Sequence, residues 1–458
     1  MPADTLDHID LGSENKTSQV SSISIPDSFY QSDNAGKVTA EKIKNDHDFE
    51  VLIHDSISVK NLEITNEIEI RKLLTIANHF KASDVLLVSG QPVLIRRYGR
   101  LFALTHTNLK GIELNNYLST INGAEALSSI RRGIGLNFAY SCSLYDPLIS
   151  QSTGGFITES ASNGNTNIVA VDRNKVVFRC NVSGCMDLTG NTSFQIVMRL
   201  IPSEPPKYSD IGLEESFVVK CIPRIGILYM AGETGSGKST TLASVLRYTL
   251  EEETHIQGNI LTLEEPIEFR YSAIKSKHSI IVQSQIPEHF SSFALAVREA
   301  MRRKPALLLV QELRDQESFS AAIELSQTGH PVLSTVHSNN VVAILQRVLE
   351  LVPKDQHSRK LTETISTAHG FIAQRLVATV DGKQMAVREF LFFTKTFRNK
   401  LLDEAISERG YGGVIKEIRI VMDNPNGTSF SSPTFEVQAE KLLADGKITQ
   451  AGYEALLA

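Results

Sequence analysis

The sequence predicts an α/β fold for the larger part of the chain, preceded by a smaller α+β domain. Three observations lead to this prediction. From Arg224 onward, segments typical of buried strands alternate with segments typical of helices, which implies a mostly parallel sheet covered by helices. A glycine-rich run at 232–240 stands between the first such strand and the first such helix. Upstream, short strand-like runs separated by turns indicate an antiparallel meander.

The first part of the chain is predicted to contain a polar tail and a small domain. Residues 1–48 are rich in Ser, Asp, Asn and Lys, so they cannot bury enough surface to offset the entropy of ordering. We expect this tail to be disordered; a docking peptide for a partner is the alternative. Residues 49–201 form the predicted domain, with a helix over Ile70–Ala77 and a polar surface loop over 149–167. Its strands are predicted at 85–88, 93–95, 101–104, 176–180 and 194–199.

A proline-rich linker at 202–210 is predicted to join that domain to a second one at 211–400. The prolines make the linker stiff and extended. In the second domain, strands are predicted at 225–230, 259–263, 306–310 and 331–336. Helices are predicted directly after Lys238 and at 292–303, 316–327 and 341–351. Beyond Phe390 the pattern becomes less regular, and a helical or irregular extension over 401–458 closes with a pair of helices near 436–457.

The run at 232–240 has the spacing of a loop that binds a nucleoside triphosphate. The pattern G-x-x-x-x-G-K-[ST] lets backbone N–H groups point inward at phosphate oxygens, and the N-terminus of the following helix adds positive charge. Lys238 can reach the β- and γ-phosphates, and the Ser239 hydroxyl can bind Mg²⁺. An ordinary glycine-rich turn is the alternative. The predicted nucleotide contacts are Gly232, Glu233, Thr234, Gly235, Ser236, Gly237, Lys238, Ser239 and Thr240.

Two acidic side chains are predicted to lie at the same edge of the sheet. Glu264 follows the apolar strand at 259–263, and Glu312 follows the apolar strand at 306–310. Ligands of open α/β sheets bind at the carboxyl ends of the strands, so both carboxylates should face the phosphate loop. Either can polarise the water that attacks the γ-phosphate, and Glu264 is also a candidate Mg²⁺ ligand. Each acid alone is a weak signal, because strands often end in exposed charges.

His337 follows the strand predicted at 331–336. At this edge of the sheet its imidazole could sense or stabilise the γ-phosphate, which makes it a candidate catalytic residue. A structural hydrogen bond is the alternative. Metal binding by this histidine is not expected, because no Cys or second His lies at ligand spacing.

Charge, cysteine content and hydropathy argue against several classes of protein. The 458-residue chain has a net charge of −6, which disfavours a protein that wraps nucleic acid. The four cysteines include no C-x-x-C pair, so we expect neither a zinc site nor a disulfide framework. No apolar run approaches the ~20 residues that span a bilayer, and the first residues do not resemble a signal peptide. We therefore expect a cytoplasmic protein that contacts a membrane only through partners.

Four motifs follow one another in a fixed order: the phosphate loop, the acidic segment Thr262–Glu268, the strand Leu307–Glu312 and the segment Thr328–His337. In this order they resemble the secretion ATPase superfamily, which includes the motors of type II secretion, type IV secretion and type IV pili. Within it, the chain is most similar to pilus-retraction ATPases, and closer still to the DotB/TraJ-type ATPases of type IVB (Dot/Icm-like) secretion and conjugation systems. Further matching stretches are Phe178–Asn181, Arg199–Ser203, Ser284–His289, Arg302–Pro305, Leu313–Asp315 and Ala373–Leu376.

The resemblance implies a PAS-like N-terminal domain, a RecA-like P-loop ATPase domain and a ring of six subunits. ATP and Mg²⁺ are the implied ligands, with ATP between the two domains and near a subunit boundary. Arg179 and Arg199 match family arginines that reach the phosphates from the N-terminal domain. Without the resemblance, each would be interpreted as a strand residue facing solvent. The implied partners are inner-membrane channel or platform proteins and a second secretion ATPase; direct binding of nucleic acid is not expected.

Three positions depart from the family pattern. Glu265 stands in place of the usual Asp, Gln311 replaces the usual small residue before Glu312, and Gln327 stands where pilus-retraction relatives often have Glu. We therefore expect a hexameric motor that hydrolyses ATP at a modest rate. The alternatives are a nucleotide-gated ring scaffold with little turnover that recruits channel components, a pilus-retraction motor and, against the acidic charge balance, a DNA translocase.

Overall fold

The computed structural model describes residues 66–143, 175–425 and 431–457, apart from residues 81, 98, 99, 106, 189, 203 and 382. The predicted tail at 1–48 and the polar loop at 149–167 lie outside these residues. The chain divides into two compact units, and the residues that the structure describes form two sheets. Within the described residues, no helix is long and apolar enough to cross a membrane.

Before residue 202, the described residues form six strands and three helices. In chain order they are α1 (Glu67–His79), β1 (Asp84–Val88), β2 (Leu94–Arg97), β3 (Arg100–Ala103), α2 (Gly111–Asn122), α3 (Glu125–Arg131), β4 (Leu136–Ser143), β5 (Lys175–Met186) and β6 (Thr192–Ile201). The strands form one sheet in the order β3-β2-β1-β6-β5-β4, in which β1 pairs antiparallel with both β2 and β6. The predicted meander is therefore present. The PAS-like assignment stays a prediction.

Helix α1 shows why this region folds locally as it does. The Asn66 side chain accepts a hydrogen bond from the backbone N–H of Glu69 and so caps the first turn. Ile70, Leu73 and Leu74 are almost fully buried, which is the apolar face that their helical spacing predicts.

The second unit holds the larger sheet. Its elements are a 3₁₀ turn (Tyr208–Ile211), α4 (Glu215–Cys221), β7 (Gly226–Ala231), α5 (Lys238–Glu251), β8 (Gly258–Glu264), β9 (Ser279–Gln285), α6 (Phe293–Met301), β10 (Leu307–Val310), α7 (Gln316–Gln327), β11 (Pro331–Val336), α8 (Ala343–Glu350), a 3₁₀ turn (Lys354–Gln356), α9 (His357–Thr367), β12 (Ala368–Ala378), β13 (Gln384–Phe392), α10 (Lys395–Ile406), α11 (Gly410–Asp423), α12 (Phe435–Ala444) and α13 (Gln450–Leu457).

The seven strands of this unit have the order β13-β12-β7-β11-β10-β8-β9. All neighbours pair in parallel except β12 and β13, which form an antiparallel hairpin. Strand β7 lies in the middle and is buried on both faces, which is typical of a parallel sheet covered by helices. Its Ile227, Tyr229 and Ala231 pack with helices α6 to α9, whereas Leu228 and Met230 pack with α4 and α5. The prediction of an α/β fold is confirmed.

Several elements differ from the sequence-based prediction. Strands β4, β9, β12 and β13 and helices α2, α3, α4 and α9 were not expected. The chain beyond Phe390 was expected to be less regular, yet it forms the regular helices α10 and α11. Their residues pack on the core of the large sheet, and Leu401, Val414 and Ile418 are fully buried there. Tertiary burial thus stabilises helices whose own sequence gives a weak signal.

Candidate nucleotide-binding site

The phosphate loop at 232–237 connects the central strand β7 to helix α5. Gly232 and Gly237 have φ angles of +147° and +83°, a backbone conformation that other residues rarely adopt. At Gly232 a Cβ atom would also collide with the carbonyl oxygen of Gln374 and with the Ser236 hydroxyl. The course of the loop therefore depends on glycine at these positions. All nine predicted nucleotide contacts lie in this loop and the first turn of α5.

Lys238 is the first residue of α5, and its buried ammonium group folds back on the loop. Nζ donates hydrogen bonds to the carbonyl oxygens of Gly232 at 2.7 Å and Glu233 at 2.8 Å. Burial lowers the pKa of Lys238, and the carboxylates of Glu312, Glu268 and Glu233 oppose this shift. A cation enclosed at a helix N-terminus is suited to binding phosphate.

Ser236 gives an independent indication that the loop fits an anion. Its Oγ is buried and has no hydrogen-bond partner among the described residues. Buried hydroxyl groups are nearly always paired in folded proteins. A phosphate oxygen in the loop would supply the missing partner, beside the Lys238 ammonium.

Glu264 ends strand β8, and only 6% of its surface is exposed. Its Oε1 accepts hydrogen bonds from Thr262 Oγ1 at 2.6 Å and from Gln283 Nε2 at 3.0 Å. Its Oε2 accepts a longer bond, 3.4 Å, from the backbone N–H of Glu268. Burial raises the pKa of Glu264, and these donors oppose the shift.

Glu268 stands next to the phosphate loop. Its Oε1 accepts hydrogen bonds from Ser239 Oγ at 3.2 Å and from Gln311 Nε2 at 3.0 Å. A hydroxyl and a carboxylate oxygen thus lie side by side, and Mg²⁺ prefers oxygen ligands of this kind. Ser239 and Glu268 therefore fit a Mg²⁺ ion that accompanies a bound nucleotide.

Glu312 is held by two basic side chains. His337 Nε2 lies 3.1 Å from its Oε1, and Arg314 Nε lies 2.8 Å from its Oε2. The second arm of the Arg314 guanidinium reaches Glu265 Oε2 at 2.8 Å. The structure thus brings the predicted residues Glu312 and His337 into contact, and it adds an arginine that links them to the segment after β8.

Gln374 on β12 contacts both the phosphate loop and the first turn of α5. Its Nε2 donates to the carbonyl oxygen of Ser236 at 2.6 Å, and its Oε1 accepts from Thr241 Oγ1 at 2.8 Å and Arg388 Nε at 2.7 Å. Burial lowers the pKa of Arg388 to about 10. One buried amide therefore ties the loop and the first turn of α5 to the β12–β13 hairpin.

Glu389 on β13 connects the segment after His337 to the C-terminal helices. Its carboxylate accepts hydrogen bonds from the backbone N–H groups of Val341, at 3.1 Å, and Phe435, at 2.6 Å. Burial raises the pKa of Glu389, and these two bonds oppose the shift. Nearby, the Arg375 guanidinium lies 4.8 Å from the centre of the Phe435 ring.

Arg179 and Arg199 belong to the six-stranded sheet, on β5 and β6, and not to the cluster on the seven-stranded sheet. Arg179 is exposed. Arg199 is 59% exposed, and its Nε lies 2.8 Å from Oδ1 of the buried Asp84. Their role as phosphate contacts stays a prediction.

The three departures from the family pattern have different surroundings. Glu265 pairs with Arg314, as described above. Gln311 uses both ends of its side-chain amide on the segment after β8. Gln327 is exposed and ends helix α7.

Sequence reasoning did not assign a role to Glu268, Gln283, Arg314 or Gln374. For Glu268 a signal was present, because it is the third acid of the Thr262–Glu268 segment. Gln374 lies 138 residues from the Ser236 carbonyl oxygen that it binds, so no local pattern could have revealed the contact.

Comparison with known proteins supports an assignment to a family. A model of the family described as type II/IV secretion system protein matches residues 163–426. The chain belongs to this family. Its predicted membership of the secretion ATPase superfamily is thereby confirmed.

Among related proteins, the chain is 30% identical over 255 residues to the type IV pilus retraction ATPase PilT of Pseudomonas aeruginosa, covering 56% of this chain and 69% of PilT. The crystal structure of the ATPase DotB from Yersinia pseudotuberculosis is similar, with a TM-score of 0.68 and 34% identity over 86% of this chain and 95% of that one. DotB from Legionella pneumophila gives a TM-score of 0.66 and 30% identity, over 84% and 94% of the two chains. These relatives support ATPase activity at the level of the family.

Proposed function

We propose that this chain hydrolyses Mg·ATP in a ring of six subunits that powers a type IVB-like secretion or conjugation machine. One observation carries the proposal: Lys238 and Ser239 lie at the same sheet edge as the acids Glu264, Glu268 and Glu312. Backbone amides, an ammonium group and carboxylates converging at a phosphate loop are the parts that phosphoryl transfer requires. The likeness to the two DotB structures supports the type IVB branch.

In the proposed reaction, water attacks the γ-phosphorus of ATP, the bond to the β,γ-bridging oxygen breaks, and ADP and phosphate are released. Glu312 accepts the proton of the attacking water. Its side chain is 18% exposed and thus open to water, whereas His337 and Arg314 hold its two oxygens in place. Glu264 is more deeply buried than Glu312, so it has a supporting role in this scheme.

Ser239 and Glu268 would hold Mg²⁺, with Glu264 as a further candidate ligand. When bound, the ion neutralises negative charge on the β- and γ-phosphates. Lys238 exchanges its bonds to the Gly232 and Glu233 carbonyl oxygens for bonds to phosphate oxygens.

Arg179 and Arg199 are proposed to reach the phosphates from the six-stranded sheet. Asp84 holds Nε of Arg199, which leaves the outer nitrogens of the guanidinium for a phosphate. Loss of the γ-phosphate would release these arginines, and the resulting movement would be passed to inner-membrane channel or platform proteins and a second secretion ATPase. The ring would work on the cytoplasmic side of the inner membrane.

Nucleotide binding and turnover of the purified full chain test this proposal. Wild type should take up Mg·ATP in calorimetry and release phosphate at steady state, and Lys238→Ala should lose both. Lys354→Ala, which removes an exposed lysine outside the cluster, is the matched control and should retain both. Absence of Mg·ATP uptake by wild type would refute the proposal. Uptake without measurable turnover by assembled rings would favour the nucleotide-gated scaffold instead.

Pilus retraction is the second candidate, because PilT of Pseudomonas aeruginosa is 30% identical over 255 residues. The two candidates differ in the machine that the ring serves. Expression in a piliated bacterium that lacks its retraction ATPase separates them. Restored twitching that depends on Lys238 would favour retraction, and no restoration by a well-expressed chain would favour the secretion machine.

A further inference from the structure

Gln311 lies between the strand β10 and the proposed base Glu312, with its backbone fixed by two neighbouring strands. Its N–H donates to the carbonyl oxygen of Leu263 at 2.9 Å. Its own carbonyl oxygen accepts a hydrogen bond from Thr335 Oγ1. The side chain therefore leaves the sheet from a well-defined point, at the edge where the acids converge.

The side-chain amide of Gln311 is used entirely on one short segment, residues 265–268. Oε1 accepts a hydrogen bond from the backbone N–H of Glu265. Nε2 donates to the carbonyl oxygen of Pro266 at 3.3 Å and to Oε1 of Glu268 at 3.0 Å. A primary amide offers a donor and an acceptor on separate atoms, which this arrangement uses.

The Glu268 oxygen that Gln311 contacts is the one that accepts the Ser239 hydroxyl hydrogen bond at 3.2 Å. Gln311 and Ser239 thus hold one carboxylate oxygen from two sides. Glu268 itself follows the last strand residue, Glu264, by four positions. Without Gln311, its segment would keep the backbone bonds to Glu264 and Gln285 and the side-chain contacts with Arg314 and Ser239.

We propose that Gln311 is a positioning residue that holds segment 265–268 so that the Glu268 carboxylate stays beside Ser239, where Mg²⁺ would bind. This inference rests on the proposed ATPase function. As a departure from the family pattern, Gln311 is one reason to expect a modest rate of ATP hydrolysis. In the present proposal Gln311 contributes to the site and does not weaken it. A small residue at this position could make none of the three side-chain bonds.

Hydrogen–deuterium exchange of the nucleotide-free full chain tests the positioning without ATP. Gln311→Met keeps the side-chain length but removes its donor and acceptor, so amide exchange at Glu265 should accelerate about tenfold, the effect of losing one intramolecular hydrogen bond. Gln346→Met, an exposed glutamine on α8, is the control and should leave this exchange unchanged. If Gln311→Met folds poorly, Gln311→Asn takes its place. It keeps the amide but shortens its reach, so exchange at Glu265 should accelerate in the same way.

The Mg²⁺ dependence of ATP hydrolysis tests the consequence. In Gln311→Met the Mg²⁺ concentration at half-maximal turnover should rise about tenfold, because a charge-assisted hydrogen bond to Glu268 is lost. In a Glu268→Gln background the same substitution should add little. Unchanged exchange at Glu265, or equal effects of Gln311→Met in both backgrounds, would overturn the inference. Wild type without turnover would instead refute the proposed function, and the exchange experiment would still decide the role of Gln311.

Discussion

The imidazole Nε2 of His337 lies 3.1 Å from Oε1 of Glu312, so the end of β11 and the end of β10 meet at one carboxylate. Arg314 holds the other oxygen of that carboxylate from the opposite side. A proposed base with both oxygens held can accept a proton only from a defined direction. Correct geometry is the first requirement for proton transfer, and the pKa of the base is the second.

Replacing Glu312 with Gln should lower turnover at saturating ATP by about 100-fold or more, because the amide cannot accept the proton of the attacking water. The affinity for Mg·ATP, measured by calorimetry, should change only a few-fold. Glu324→Gln, an exposed acid on α7, is the matched control. Full turnover by Glu312→Gln would show that another group, with Glu264 the first candidate, takes the proton.

Replacing Gln374 with Met should raise the dissociation constant of Mg·ATP about tenfold, because the Ser236 carbonyl oxygen and the Thr241 hydroxyl lose a buried partner. Calorimetry measures the change, and thermal unfolding checks that the variant folds. Gln450→Met, an exposed change on α13, should leave affinity at the wild-type value. Equal affinities of Gln374→Met and wild type would mean that the loop holds its shape without the amide.

One glycine substitution should abolish nucleotide binding, whereas another should raise the stability of the fold. Gly232→Ala forces a Cβ into the Gln374 carbonyl oxygen at a φ of +147°, so nucleotide binding should be lost. Gly412→Ala adds a methyl group to an open position within helix α11 and should raise the unfolding free energy by about 0.5–1 kcal/mol. Calorimetry with Mg·ATP and urea unfolding measure the two effects. Retained binding by Gly232→Ala would contradict the assigned loop geometry.

Glu389 should make stability depend on pH. Burial raises its pKa above the ordinary value of 4.5, so the folded state binds this proton more tightly than the unfolded state does. The stabilisation is complete below pH 4.5 and is lost as pH rises through the raised pKa. Glu389→Gln lacks this dependence, so the unfolding free energy of the variant minus that of wild type should increase with pH across this window.

Urea unfolding of the nucleotide-free chain at a series of pH values measures this slope. A constant offset from the altered hydrogen bonds to Val341 and Phe435 does not affect it. Glu440→Gln, an exposed acid on α12, is the control and should leave the wild-type slope unchanged. A flat difference between Glu389→Gln and wild type would contradict the raised pKa.

The elements that carry the phosphate loop could be predicted because their signals are local. Strands β7, β8, β10 and β11 are apolar runs, and all four begin within one residue of their predicted starts. Strand β9 was missed because it is an edge strand with a 64% exposed Ile280, so it lacks the continuous apolar character of its neighbours.

The polar contacts of the site could not be predicted, because they depend on pairing between distant strands. Gln311 meets segment 265–268 only because β10 and β8 are parallel neighbours in register. Likewise, the glycines at 410, 412 and 413 disfavour a helix by propensity, yet α11 forms there, and a Cβ atom at Gly413 would force the Glu404 carboxylate to shift. Such requirements come from the assembled structure and leave no periodic pattern in the sequence.

The carboxylate of Glu389 anchors the start of helix α12 by a hydrogen bond from the backbone N–H of Phe435. The match to the family model ends at residue 426, but Phe435, whose backbone N–H donates to this carboxylate, lies beyond that point. A shortened chain that stops at residue 426 would leave a buried carboxyl oxygen of Glu389 without its hydrogen bond from Phe435 and loosen the segment that leads back to His337. Anyone who trims this protein for crystallisation should therefore keep its final thirty or so residues, and place any affinity tag at the opposite end.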